Sequence, residues 1–136
     1  MGTWGTGAFD NDIASDWAYG LADGGIHLVS ESLHAATDAA DLLDADEGAA
    51  AIAAAETVAR LRGGAWDESP HSGAVDEWVH AQTGEVPADL AALAAAAVRR
   101  VLAPGSELAD LWDEADDADA TTWRRVLDDL IGRLDL

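Results

Sequence analysis

The chain has 136 residues, with 27 acids, seven arginines and no lysine, for a formal charge of -20. That length suits one domain, 1–136, since domains run to about 100–150 residues; 49% apolar residues and six tryptophans argue against disorder. The absence of cysteine excludes disulfides, thiolate metal centres and thiol catalysis, and the scarcity of basic residues argues against direct binding to nucleic-acid phosphates.

Three origins could explain the acidity. A genome rich in G and C favours Ala, Gly, Asp and Arg codons and accounts best for the missing lysine. It does not account for 19 Asp beside 8 Glu, which leaves room for selection by a salt-rich cytoplasm or by a basic partner steered in by charge. No apolar run approaches the roughly 20 residues of a membrane span, and the start lacks the basic and apolar regions of a secretory signal. Met1-Gly2-Thr3-Trp4-Gly5-Thr6 fits a myristoylation pattern, but a loop glycine explains Gly2 more simply. The expected location is the cytoplasm, with no membrane attachment.

In chain order, residues 1–9 read as an ordered loop in which glycines alternate with Trp4 and Phe9. A first helix follows, capped by Asp10 or Asn11, with Asp12 and Asp16 favourable to its dipole. Ile13, Ala14, Trp17, Ala18 and Leu21 form its apolar face, and Gly24-Gly25 is expected to end it. A second helix runs from about Leu28 to Leu43 on the stripe Val29, Leu33, Ala36, Ala40 and Leu43. The third, about Glu47 to Leu61, is apolar nearly all round and therefore central. Residues 65–73 form an irregular loop before a short fourth helix with Val75, Trp78 and Val79. Pro87 opens the alanine-rich fifth helix, to Leu102, which also reads as central. Ser106 caps the sixth, and Asp119 is expected to cap the seventh, whose inner face is Trp123, Val126, Leu127, Leu130, Ile131 and Leu134. No strand is predicted, so the expected class is all-α: a compact single-domain bundle of six to seven helices. Alanine buries little area, so the tryptophans are expected to supply much of the core.

The charge is patchy. Asp38, Asp41, Asp44, Asp46 and Glu47 form one acidic segment without a base. Glu107, Asp110, Asp113, Glu114, Asp116, Asp117 and Asp119 form a second. These are the expected partner surface.

Two Glu-x-x-His motifs, Glu31 with His34 and Glu77 with His80, follow the order used by di-iron four-helix bundles. At 100° per residue, His27, Glu31, His34 and Asp38 fall within about 60° of one another, opposite the apolar stripe. Ligands of a di-metal bundle face the core, so these motifs are only a weak alternative metal site, and neither metal nor cofactor is expected. The acidic loops have the oxygen donors calcium takes but not the twelve-residue loop geometry. His71-Ser72-Gly73 lacks the first glycine and the preceding strand of a nucleophile elbow. Glu56, inside the apolar third helix, must be paired, protonated or functional; Arg60, four residues on, is the expected local partner.

The opening string MGTWGTGAFDNDIASDW, with Ala53 to Ala59, Ser106 to Trp112 and Trp123-Arg124, resembles a family of small bacterial proteins known as domain of unknown function 4259. The resemblance spans nearly the whole chain and implies a cytoplasmic helical domain, but it brings no activity, cofactor or catalytic residue, and the Glu-x-x-His motifs are not part of its pattern. Physically, the opening reads as a clamp in which Trp4 and Phe9 fold back on Trp17 while Asp10, Asn11 and Asp12 cap the first helix. Read as a site, Trp4, Asp10, Asn11, Asp12, Asp16 and Trp17, with Glu56, would line a ligand pocket. Two functions follow. One is a non-enzymatic module that binds a basic protein, as immunity proteins and acidic inhibitors do. The other is a small-ligand or metal-dependent enzyme centred on the N-terminal motif.

Overall fold

The computed structural model describes residues 5–63 and 72–135. They form six helices: α1 (Asp12–Thr37), α2 (Ala45–Leu61), α3 (Gly73–Ala81), α4 (Ala88–Leu102), α5 (Glu107–Asp113) and α6 (Asp117–Leu134). The described residues contain no strand, only an isolated parallel bridge between Leu43 and Ser106. The fold is all-α.

The middle of the bundle is α2, which packs against each of the other five helices. Residues 51–60 are buried without interruption; alanine at most of these positions lets neighbouring backbones close in from every side. By contrast, α4 is amphipathic. Ala91, Ala94, Ala95, Ala97, Val98 and Val101 are buried, while Ala92, Ala96 and Arg99 face outward. Alanine does not distinguish a central helix from a peripheral one, so the expectation of two central helices is corrected to one. Of the tryptophans expected in the core, Trp17 and Trp123 are buried in it, and Trp78 and Trp112 are partly buried against it. Trp4 and Trp66 lie outside the described residues. Leu, Val and Ala build most of the core.

Gly24-Gly25 ends the first helical run as expected: Gly25 takes φ 55 and ψ -143, and a second run starts directly after it, so α1 is two helices joined at a sharp break. The second folds back on the first, since Trp17 Nε1 reaches Ser32 Oγ at 2.9 Å, whereas 15 residues of unbroken helix would separate them by about 22 Å. Glycine enters that region without the Cβ clash other residues meet. The second half stops at Thr37 rather than Leu43. Leu43 is buried as expected, but its N–H donates to Gly105 O at 2.8 Å and its carbonyl accepts from Glu107 N at 2.9 Å. A backbone paired across the fold in this way cannot also continue the helical ladder.

Candidate functional site

The N-terminal motif folds as a pinned loop. The Asp10 carboxylate accepts from Gly7 N at 3.0 Å, and Asp10 N donates to Gly7 O at 3.1 Å. A Cβ at Gly5 would sit 2.9 Å from Asp10 Oδ2, and one at Gly7 would sit 2.6 Å away. The carboxylate packs on bare backbone at both positions, so a side chain at either would push Asp10 aside. Asn11 caps α1, its Oδ1 accepting from Ala14 N at 2.8 Å. Phe9 is buried, with the Arg60 guanidinium 5.1 Å from its ring centre. Trp4 falls outside the described residues, as does its part in the expected clamp.

Beside this loop, two segments 60 residues apart in sequence are tied together. The Leu43–Ser106 bridge joins them, and Glu107 Oε1 accepts from Ala45 N at 2.8 Å. Arg100 adds three bonds: Nε donates to Ala39 O at 3.2 Å, Nη1 to Pro104 O at 3.4 Å and Nη2 to Gly105 O at 3.3 Å. Gly105, at φ +84, leaves its missing Cβ only 2.5 Å from Asp41 O, so the turn fits no other residue without moving. The result places the acidic segment 38–47 against the acidic segment 107–119. Asp38, Asp41, Asp44, Asp46, Glu47, Asp110, Asp113, Glu114, Asp116 and Asp117 are all exposed.

Some of these acids also hold local structure. Asp44 caps α2, accepting from Glu47 N at 2.8 Å, and Asp116 caps α6, accepting from Ala118 N at 2.8 Å. Asp119, the expected cap of the last helix, instead lies within its first turn. The Glu47 carboxyl is pushed above its ordinary value by a side-chain hydrogen bond with Asp44, by the Asp44 charge and by slight burial.

Between the loop, the start of α2, α5 and the start of α6 lies a cleft of about 650 Å³, a volume in the range of ligand pockets, roughly 300–1,000 Å³. Its apolar floor includes Ile13, Ile52, Leu108, Leu111, Trp112 and Trp123. The two indoles stack at 5.6 Å with their planes 13° apart. Exposed Asp12, Asp46 and Asp119 line its edge, and no arginine or histidine is among the lining residues. Close packing sets the shape: a Cβ at Gly48 would touch Leu108 Cβ at 3.4 Å, so a small residue on α2 lets α5 settle against it.

Of the sequence-derived ligand residues, Asn11 and Asp12 border the cleft. Asp10 lies in the loop beside it, bonded to Gly7. Asp16 is exposed and Trp17 is buried, its Nε1 donating to Ser32 Oγ at 2.9 Å; neither lines the cleft. Glu56 is in the core. Its Oε2 accepts from Arg60 Nε at 3.1 Å, as the i, i+4 spacing implies, and Arg133 of α6 grips both its oxygens, with Nη1 3.1 Å from Oε2 and Nη2 on Oε1. Arg60 also donates to Asp76 at 2.8 Å. Glu31, His34, Glu77 and His80 are exposed, as is His27, and His71 lies outside the described residues. Among the described residues, no group of three or more His, Asp or Glu side chains gathers to hold a metal ion. No helix among them is long and apolar enough to cross a membrane.

The floor residues Leu108, Leu111, Trp112 and Trp123 were not expected at a site. Their spacing marks the inner faces of two helices, and nothing in the sequence signals that the space over Trp112 stays open.

Pinned glycine loop, helical bundle and paired acidic segments together define a small all-α protein with a charged cleft at one end. The family model for Domain of unknown function (DUF4259) matches residues 2–126, and the chain belongs to that family. No curated protein and no solved structure matches the chain.

Proposed function

We propose that this protein is a small acidic interaction module of the cytoplasm that engages a basic protein partner, in the manner of immunity proteins and acidic inhibitors. The observation that carries this reading is the junction at Leu43 and Ser106, which ties the start of α2 to the start of α5 and so brings two acidic stretches of the sequence together in space. A single surface of one sign focuses its field and accelerates the approach of an oppositely charged partner, an effect that salt screens. Seven arginines cannot neutralise 27 acids: Arg124 pairs with Asp113 of the second stretch, and three others are committed to Glu56, Asp76 and the carbonyls around Gly105.

The test is affinity capture from the native host at low and high salt, followed by association kinetics with the captured protein. A basic partner should appear at low salt, and its association rate should fall steeply as salt rises. A partner whose association ignores salt, or the absence of any basic partner, would sink the proposal. An enzyme centred on the N-terminal motif draws support from the position of Asn11 and Asp12 at the cleft. Against it, Asp10 and Asn11 spend their side chains on Gly7 and Ala14, and the three histidines among the described residues face outward.

A further inference from the structure

We infer that the cleft is the anchor pocket for that partner and that it takes a bulky apolar side chain flanked by arginines. This rests on the acidic-module reading and names the chemistry of what is bound. Three features select the occupant. The floor offers the partly exposed Trp112, stacked on the buried Trp123, with Leu111 38% exposed beside it, so apolar surface is left open to water there. Burying a large apolar side chain there removes that surface from water on both partners. The edge carries Asp12 from α1, Asp46 from α2 and Asp119 from α6, with no cation among the lining residues, so charge complementarity requires positive flanks. Arginine suits these flanks better than lysine because its guanidinium pairs with carboxylates through several N–H donors, as Arg124 does with both oxygens of Asp113 at 3.0 and 3.1 Å. A volume of about 650 Å³ exceeds one side chain, so a short segment enters rather than a single residue.

Capped tripeptides measured by calorimetry at low salt provide the test: Arg-Phe-Arg, Arg-Gly-Arg and Glu-Phe-Glu. The intact protein should bind Arg-Phe-Arg about tenfold more tightly than Arg-Gly-Arg and should not bind Glu-Phe-Glu. Leu111→Asn removes floor area at a partly exposed position, and Ala45→Phe fills the cleft. Each should weaken Arg-Phe-Arg about tenfold, down to the Arg-Gly-Arg level, while leaving Arg-Gly-Arg unchanged. Asp46→Asn with Asp119→Asn should weaken both arginine peptides. Asp89→Asn with Asp128→Asn, the same charge change at exposed positions off the cleft, should weaken neither. Circular dichroism checks that each variant is folded. Equal binding of the two arginine peptides, insensitivity to both cleft variants, or equal loss in the off-cleft control would overturn the anchor pocket and leave the acidic module standing. Tighter binding of phenethylamine than of Arg-Phe-Arg would make the cleft a small-amine site and overturn it too. Failure of every arginine peptide would count against both readings.

Discussion

Glu56 is where one side chain decides most. It sits in the buried centre of α2 and is held by Arg60 on its own helix and by Arg133 on α6. The Arg60 contact was legible in the sequence because residues four apart share a helix face. The Arg133 contact was not, since 77 residues separate the pair and only packing brings them together. Removing one partner from a buried ion pair leaves the other uncompensated. Glu56→Gln, which keeps the shape and drops the charge, should therefore lower unfolding free energy by roughly 3 kcal/mol in urea at neutral pH. Adding Arg133→Met should recover part of that loss, the sign of direct coupling. Glu47 provides the opposite case, a carboxyl that folding makes harder to ionise. Its folded pKa lies above the ordinary 4.5, chiefly through the side-chain hydrogen bond with Asp44. Its contribution to stability is thus complete below the unfolded pKa and is lost as pH rises through the folded one. Glu47→Gln should match the natural protein well below pH 4.5 and gain on it as pH rises past that value, as thermal unfolding across a pH series would show.

Among the elements, local signals and long-range pairings divide cleanly. Asn11 as a cap, the start of α4 after Pro87, Ser106 before α5 and the apolar face of α6 all follow from residues within one turn. So does the break at Gly24-Gly25, where Gly25 leaves helical geometry and the chain turns back. Two boundaries did not. Leu43 continues the helical stripe by spacing, yet it pairs with a turn 62 residues on. Asp116 and Asp119 are equally good caps by composition. The turn that captures Leu43 depends on Arg100, whose guanidinium bonds the carbonyls of Ala39, Pro104 and Gly105. Arg100→Met keeps most of the apolar stem and strips those donors. It should cost about 1–3 kcal/mol and speed hydrogen exchange at the Leu43 and Glu107 amides more than at the centre of α2, a difference that separates loosening of the junction from general weakening.

At the scale of the molecule, a charge of -20 opposes folding through self-repulsion. The continuous core from α1 to α6 should hold the chain folded at low salt all the same. Added salt should raise the melting temperature by screening that repulsion, most steeply below about 0.15 M where the Debye length exceeds ~8 Å. Calorimetry over a salt series would show it, and an unfolded chain at low salt would instead make the acidity an adaptation to brine. The sequence by itself determined the all-α class, the helix-forming segments, the buried stripes, the Glu56–Arg60 pair and the family, because periodicity, caps and a distinctive opening act over a few residues. It also located the two acidic stretches. Only the tertiary structure decided that they are tied together, that Arg133 completes the buried network and that a cleft opens beside Trp112. Each of these depends on contacts between segments far apart in the chain, and a hydrogen bond such as Leu43 to Gly105 leaves no local pattern to read.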